Sequence, residues 1–296
     1  MLTSLLLSNI IGAPIAGVLL ESSFFGLHGW QELFILEAIP ALAFALFFFF
    51  FVKDRPAEVS WLTQAEKDYL TEQFEREQAV LKNRRKYTVL QAFRDPKVLK
   101  LCLIYFLWVV GFWGFYFWMP TVLKDLSGLS TSLLGGAIAI PMTAALVVQI
   151  LIGHTATRTG DKVWHVAGAL FVGAIGLSLS PHASSISAAL FLVCLSAIGI
   201  HASMGVWWTI PTTFLTGPAA AGSIALINSC GNIGGWVGPN LMAWVKVSTG
   251  AFDLGYYIMG AMMFLSGLLV LTIRYRLNGA RKAAPSTPGE AVAPES

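Results

Sequence analysis

Eight long apolar runs decide what this chain can fold into. They lie at 2–20, 32–52, 99–119, 132–153, 163–181, 187–209, 224–246 and 255–275, each near the ~20 residues that carry a helix across hydrocarbon. A segment dissolved in lipid must pair its own backbone N–H and C=O groups, so such runs are helices. Composition matters here in one respect: 12% of the residues are charged, about half the roughly 25% of a soluble domain. The fold class expected is an all-α polytopic membrane protein with about eight transmembrane helices. The end of the sixth is blurred by "SMGVWWTIPTTFL".

Lysine and arginine orient the bundle. Eleven fall between Lys53 and Lys100, two (Arg158 and Lys162) in the loop after the fourth run, and four after the last run. Alternation through eight helices gathers these seventeen of nineteen on one face, leaving Lys124 and Lys246 opposite. The positive-inside rule makes that face cytoplasmic, with both termini inside. The net charge of +3 is then a topological signal, and nucleic acid is not an expected partner. Cys102, Cys194 and Cys230 all fall within apolar runs, as small buried thiols do.

The runs group as two plus six around one polar insert. Residues 1–52 form a two-helix hairpin, 53–98 a cytoplasmic loop, 99–275 a six-helix block, and 276–296 a Pro-, Ala- and Ser-rich tail expected to be disordered. In the loop, Thr63 and Glu66 have capping-box spacing and open an amphipathic helix presenting Leu70 and Phe74. That helix is expected to lie on the bundle. Many secondary transporters join two six-helix halves by a long cytoplasmic loop. On that pattern the second half is complete and the chain starts within the first.

No metal or cofactor pattern occurs. The histidines, at 28, 154, 165, 182 and 201, are scattered, and no cysteine pair has metal spacing. A membrane enzyme is disfavoured. Ionisable residues inside spans are functional candidates: His201 lies mid-run, either facing a cavity or bonded between helices, and Glu37 suits a structural or interfacial place. No Lys or Arg occupies the middle of a run. In "WVVGFWGFYFWMP", Trp113 and Tyr116 lie deeper than the outer aromatics and face either a pore or lipid; of the adjacent Trp207 and Trp208, one at most lines a cavity.

The costliest stretch is "NSCGNIGGWVGPN" at 228–240. Asn228 and Asn232, four apart, share a helical face, and an unpartnered amide in hydrocarbon costs several kcal/mol. Gly231, Gly234, Gly235 and Gly238 permit close helix approach, and Gly238-Pro239 suits a hinge. Two readings stay open: the amides bond a neighbouring helix, or they wall an aqueous cavity.

The residues resemble the major facilitator superfamily, and within it the anion:cation symporters. "GWQELFILEAIPA" with "KDRPAEVSWLTQAEKDYL" resembles the end of that family's first half and its central loop. "FWMPTVLKDLSGLS" with "GGAIAIPM" resembles helices seven and eight, and "WTIPTTFLTGPAAAGSIALINSCGNIGGWVGP" helices ten and eleven. The likeness implies that the chain holds counterparts of helices five to twelve, without the first four. It implies an inner-membrane, proton-coupled symporter of an organic carboxylate, of the phthalate, tartrate, hydroxyphenylacetate or nicotinate type. A carrier for another solute class, or a non-transporting membrane subunit, are the alternatives. The implied partners are the carboxylate, protons, the bilayer and the remaining helices. Substrate-wall candidates are Asn228, Asn232, Trp208, Tyr116, Trp113 and His201. "GHTATRTGDKVWH" resembles the cytoplasmic gating motif through Arg158, Gly160, Asp161 and Lys162, with Thr157 where an acid is expected.

Two outcomes are expected from the sequence. A single cysteine at position 75, in an otherwise cysteine-free chain, reacts with an impermeant maleimide only after the cells are opened; labelling of intact cells reverses the topology. Residues 1–296 expressed alone insert but do not take up labelled carboxylates under a proton gradient, because no span carries a fixed cation. Saturable, gradient-dependent uptake above an empty-vector control contradicts that expectation.

Overall fold

The computed structural model describes residues 3–23, 26–82, 94–213 and 218–283. Its helices are α1 (Thr3–Leu20), α2 (Gly29–Phe51), α3 (Gln64–Lys82), α4 (Pro96–Ser127), α5 (Thr131–Thr159), α6 (Lys162–Leu179), α7 (Ile186–His201), α8 (Met204–Trp207), α9 (Pro218–Thr249) and α10 (Asp253–Ala283). Among the described residues, seven segments are long and apolar enough to cross a membrane, α7 and α8 counting together as one. Helix α9 is not among them. Its glycines, Asn228, Asn232 and Asn240 dilute the hydropathy, yet it is as long as α4 and packs along it.

Local chemistry sets the ends. Pro96 starts α4 and the Asp95 carboxylate accepts from Lys97 N–H at 2.8 Å; proline at the first position loses no bond the helix needs. Ser130 and Ser185 cap α5 and α7 by accepting from Leu133 N–H (3.3 Å) and Ala188 N–H (3.2 Å). Gly128 and Gly160 close α4 and α5 with φ of 63° and 67°, where a β-carbon is strained. The capping box forms: Glu66 accepts from Thr63 N–H at 2.9 Å and from its hydroxyl at 2.7 Å. Those bonds hold the Glu66 carboxyl below its ordinary pKa.

Helix α4 is the axis of the six-helix block. Leu101, Ile104, Trp108, Phe115 and Met119 are buried along it at helical spacing. Helix α9 lies on one side and α10 on another; α6 packs on α10 and α7, and α5 on α7. Small residues let α9 approach. A β-carbon on Gly234 would stand 2.8 Å from Phe106 O, and one on Gly238 would meet the Val110 carbonyl and Gly114 N. Residue numbers rise together along this seam, so α4 and α9 run the same way. Gly238 is thus a packing contact, and α9 continues unbroken through Pro239.

The N-terminal hairpin touches this block through α1, which lies along α5. Gly17 sits against Thr131 and Ser132, Gly135 against Ala13, and the Glu21 carboxylate accepts from Ser132 N–H at 3.1 Å. Among the described residues, helix α2 packs chiefly on the end of α1, where Gly29 lies against Leu19 and Leu20. Its one buried residue is Glu32, which accepts from Ser22 Oγ at 2.9 Å; Glu37 is exposed.

Three expectations change. Helix α3 packs on the 3-10 turn Pro56–Glu58, and Leu70 and Phe74 stay exposed; two apolar residues are too small a stripe to hold it against the bundle. The sixth run is broken at Ala202–Ser203. Helix α10 runs to Ala283, into the stretch taken as tail, because Arg, Leu, Ala and Lys all favour helix and Pro285 is the first breaker; residues 284–296 lie outside the described ones.

Space at the glycines gives a test. Gly238→Ala adds a methyl where none fits, costing about 1–3 kcal/mol, so the detergent-solubilised melting temperature falls by a few degrees. Gly136, with nothing within 4 Å of a β-carbon, is the control: Gly136→Ala leaves it unchanged or raises it, since alanine favours helix by ~1 kcal/mol.

Candidate functional site

The candidate residues gather on two helices and one helix break. On α4, the rings of Phe112 and Tyr116 stack (centroids 6.0 Å, 16°), and Trp113 stands edge-on to both (5.2 and 5.8 Å). Phe112 also meets His201, at 4.9 Å. One structure therefore joins Trp113, Tyr116 and His201, with Phe112, which the sequence reading passed over, as the link. Trp208 belongs to a neighbouring cluster. Its ring meets Tyr105 edge-on at 5.1 Å, and Tyr105 stacks on Trp207 at 5.9 Å.

Helix α9 brings the amides to this wall. Gly231 lies against the Tyr105 ring, and a β-carbon on Gly235 would stand 3.0 Å from Trp113 Cδ1. Asn228, Asn232 and Gly235 follow at i, i+4 and i+7, so they share a stripe that Trp113 borders. Both amides are exposed and neither has a hydrogen-bond partner among the described residues. Among the described residues, then, no neighbouring helix takes them up.

The break after α7 is held from two sides. Ending a helix leaves its last carbonyls without intrahelical partners. Here Trp108 Nε1 donates to Ile200 O at 3.0 Å, and Gln149 Nε2 to His201 O at 3.4 Å. The His201 side chain is 2% exposed. It is wedged beside Phe112 and does not line an open wall. Four buried atoms around the break hold no hydrogen bond among the described residues: Gln149 Oε1, His201 Nε2, Ser203 Oγ and Trp207 Nε1.

Tyr116 makes a second link, to α1. Its hydroxyl donates to Asn9 Oδ1, while Asn9 Nδ2 donates to Leu5 O at 2.8 Å. Both ends of the Asn9 amide are thereby used. Asn9 and Gln149 were absent from the sequence candidates. Each is a lone amide in a strongly apolar run, which is the signal that could have found them.

Between α5 and α6, Gly160 turns the chain and Asp161 caps α6, accepting from Trp164 N–H at 3.1 Å. Lys162 Nζ donates to Thr209 O at 3.4 Å, and His165 bridges Asp161 O and Thr155 Oγ1, the latter at 3.0 Å. Arg158 is exposed, and the Thr157 hydroxyl folds back on Gly153 O at 2.8 Å. A cavity of ≈430 Å³ lies behind Lys162, reaching from Gly160 and Thr157 inward to Gln149.

The family model for the Major Facilitator Superfamily matches residues 1–239. A putative tartrate transporter of Agrobacterium vitis is 36% identical over 97% of the chain and 64% of the relative. A quinolone resistance transporter of Acinetobacter baumannii is 33% identical over 91% and 62%. The inner membrane transport protein RhmT of Escherichia coli K12 is 31% identical over 90% and 62%. The chain thus spans about three fifths of the length of the relatives it matches.

Proposed function

We propose, because the chain belongs to the major facilitator superfamily, that it forms part of a secondary active transporter taking an organic carboxylate across the inner membrane together with protons. The observation that carries this reading is the uncovered amide pair on α9. Asn228 and Asn232 present donors on an exposed stripe bordered by the Trp113 ring, the mix of few polar and many apolar groups that orients a small ligand. In the family, substrate lies between two halves that rock about a shared site, and the stripe lies on a face of α9 that no described helix covers. The named tartrate transporter among the relatives supports a hydroxylated carboxylate as substrate. The fixed cation for it and the proton-carrying group would come from outside the spans present here. Both termini are cytoplasmic in this reading, and Arg158, Gly160, Asp161 and Lys162 form the inner gate.

One observation favours a second reading, a carrier for a flat aromatic solute. Trp113 borders the stripe and stands in one ring cluster with Phe112 and Tyr116, and one relative is named for quinolone resistance. Uptake of labelled tartrate against quinolone efflux, in cells carrying a transport-competent form of full family length, separates the two.

In that form, Asn228→Ala and Asn232→Ala lower carboxylate uptake about fivefold or more, the worth of a ligand hydrogen bond, at unchanged membrane abundance. Asn228→Ala has the larger effect. Unchanged uptake in both variants returns the amides to helix packing.

A further inference from the structure

We propose that the bond between Tyr116 and Asn9 is the one a bound carboxylate breaks: the substrate replaces the Asn9 amide oxygen as acceptor for the Tyr116 hydroxyl, and so releases α1 from α4. The proposal rests on the carboxylate reading above.

The argument starts from donors and acceptors. A tyrosine hydroxyl has one proton to donate, and an ionised carboxylate only accepts. The Tyr116 proton is already committed to Asn9 Oδ1. Asn9 cannot turn its amide round to donate instead, because Nδ2 is fixed on Leu5 O. Tyr116 therefore shows an incoming carboxylate only lone pairs, which repel it, as long as the bond to Asn9 lasts. A carboxylate is the stronger acceptor, since hydrogen bonds to ionised partners are roughly twice as strong as neutral ones. The exchange runs downhill once the substrate is seated.

The consequence is mechanical. Helix α1 lies along α5, not along α4, and Asn9 reaches across to Tyr116 from it. One turn away on the same face, Leu6 is fully buried in the hydrophobic core. Tyr116 itself is fixed by stacking on Phe112 and by Trp113 at its edge, so the hydroxyl stays put when its acceptor changes. What moves is α1. The seam beside it, where Gly17 and Gly135 bring α1 and α5 backbones together, is smooth enough to slide. Ligand binding shifts a conformational equilibrium only through contacts that differ between the two states, and this exchange is such a contact.

The experiment uses the transport-competent form of full family length in lipid nanodiscs, with every other cysteine replaced and Leu6→Cys as the single thiol, read by its maleimide labelling rate. L-tartrate at millimolar concentration is the probe, and its binding is followed separately by tryptophan fluorescence. Asn9→Ala and Tyr116→Phe each speed labelling, and the double variant is no faster than either, since both remove one bond. Tartrate speeds labelling of the parent but not of the two variants. Affinity separates the roles further: Asn9→Ala removes the competitor and tightens tartrate binding about five- to tenfold, whereas Tyr116→Phe weakens it. In the Tyr116→Phe background, Asn9→Ala has no effect. Weaker binding in Asn9→Ala makes Asn9 a direct contact and overturns the proposal, with carboxylate recognition intact. Tartrate binding that leaves the labelling rate unchanged overturns it likewise. A parent chain that neither binds tartrate nor changes its labelling overturns the carboxylate reading and the proposal together.

Discussion

Hydrocarbon offers the backbone no hydrogen bonds, so each carbonyl that a helix fails to pair has to be met from elsewhere in the chain. The structure answers with one recurring device, a side-chain donor from one helix on a backbone carbonyl of another. At the end of α7 Trp108 meets Ile200 and Gln149 meets His201, and the same device reaches mid-helix carbonyls where Trp118 meets Pro239 at 3.1 Å and Ser266 meets Ile104 at 2.9 Å. Three of these four bonds involve α4, as donor or acceptor. They explain how α7 can stop at His201 inside the bundle, since the two carbonyls there are taken by donors from α4 and α5. They also fix which helices can move alone. Helices α4, α5, α7, α9 and α10 are tied together by these bonds, and α1 is outside this set.

Close approach completes what the donors begin. Without a hydrophobic drive between helices in lipid, association rests on van der Waals contact, and small residues maximise it. Gly199 and Gly173 bring α7 and α6 together, Gly176 admits Ser196, and the glycines of α9 admit α4. The α1–α5 seam uses the same means, with Gly17, Ala13 and Gly135; the Glu21 carboxylate meets Ser132 across it, while Asn9 reaches past it to Tyr116 on α4.

Much of this could be read from residues alone. The apolar runs marked the spans, the capping box at Thr63 and Glu66 formed as spaced, and the glycines of α9 lie where close approach was expected. What escaped the sequence depends on partners distant in the chain. The break at Ala202–Ser203 carries neither proline nor glycine; it exists because Trp108 and Gln149 make it tolerable, and nothing within "GIHASMGVWW" records them. Asn9 looked like one polar residue in a leucine-rich run until Tyr116 was placed opposite. Glu37 drew notice for its depth, but Glu32, at the turn beside Ser22, is the buried one, because α2 touches α1 only at that end. His201 was legible as unusual, and its enclosure by Phe112 was not.

The turn between α5 and α6 shows how one residue changes the physics of a contact while leaving its place. An acid at position 157 would pair with a neighbouring cation, and that attraction would act over several ångströms and weaken with salt. Threonine bonds its own helix and offers no such pull. The remaining contacts are short-range: Lys162 on the Thr209 carbonyl, and His165 between Asp161 and Thr155. A hydrogen bond to a carbonyl fails within about an ångström of stretching, so this closure is brittle where a charge pair would be elastic. It also joins the turn after α8 to the start of α6, across the mouth of the cavity that ends at Gln149. The broken helix and the Gly160 turn are therefore joined: Lys162 holds the carbonyl of Thr209, two residues past α8, beside the cavity that Gln149, Ala202 and Val206 line on the side of the break.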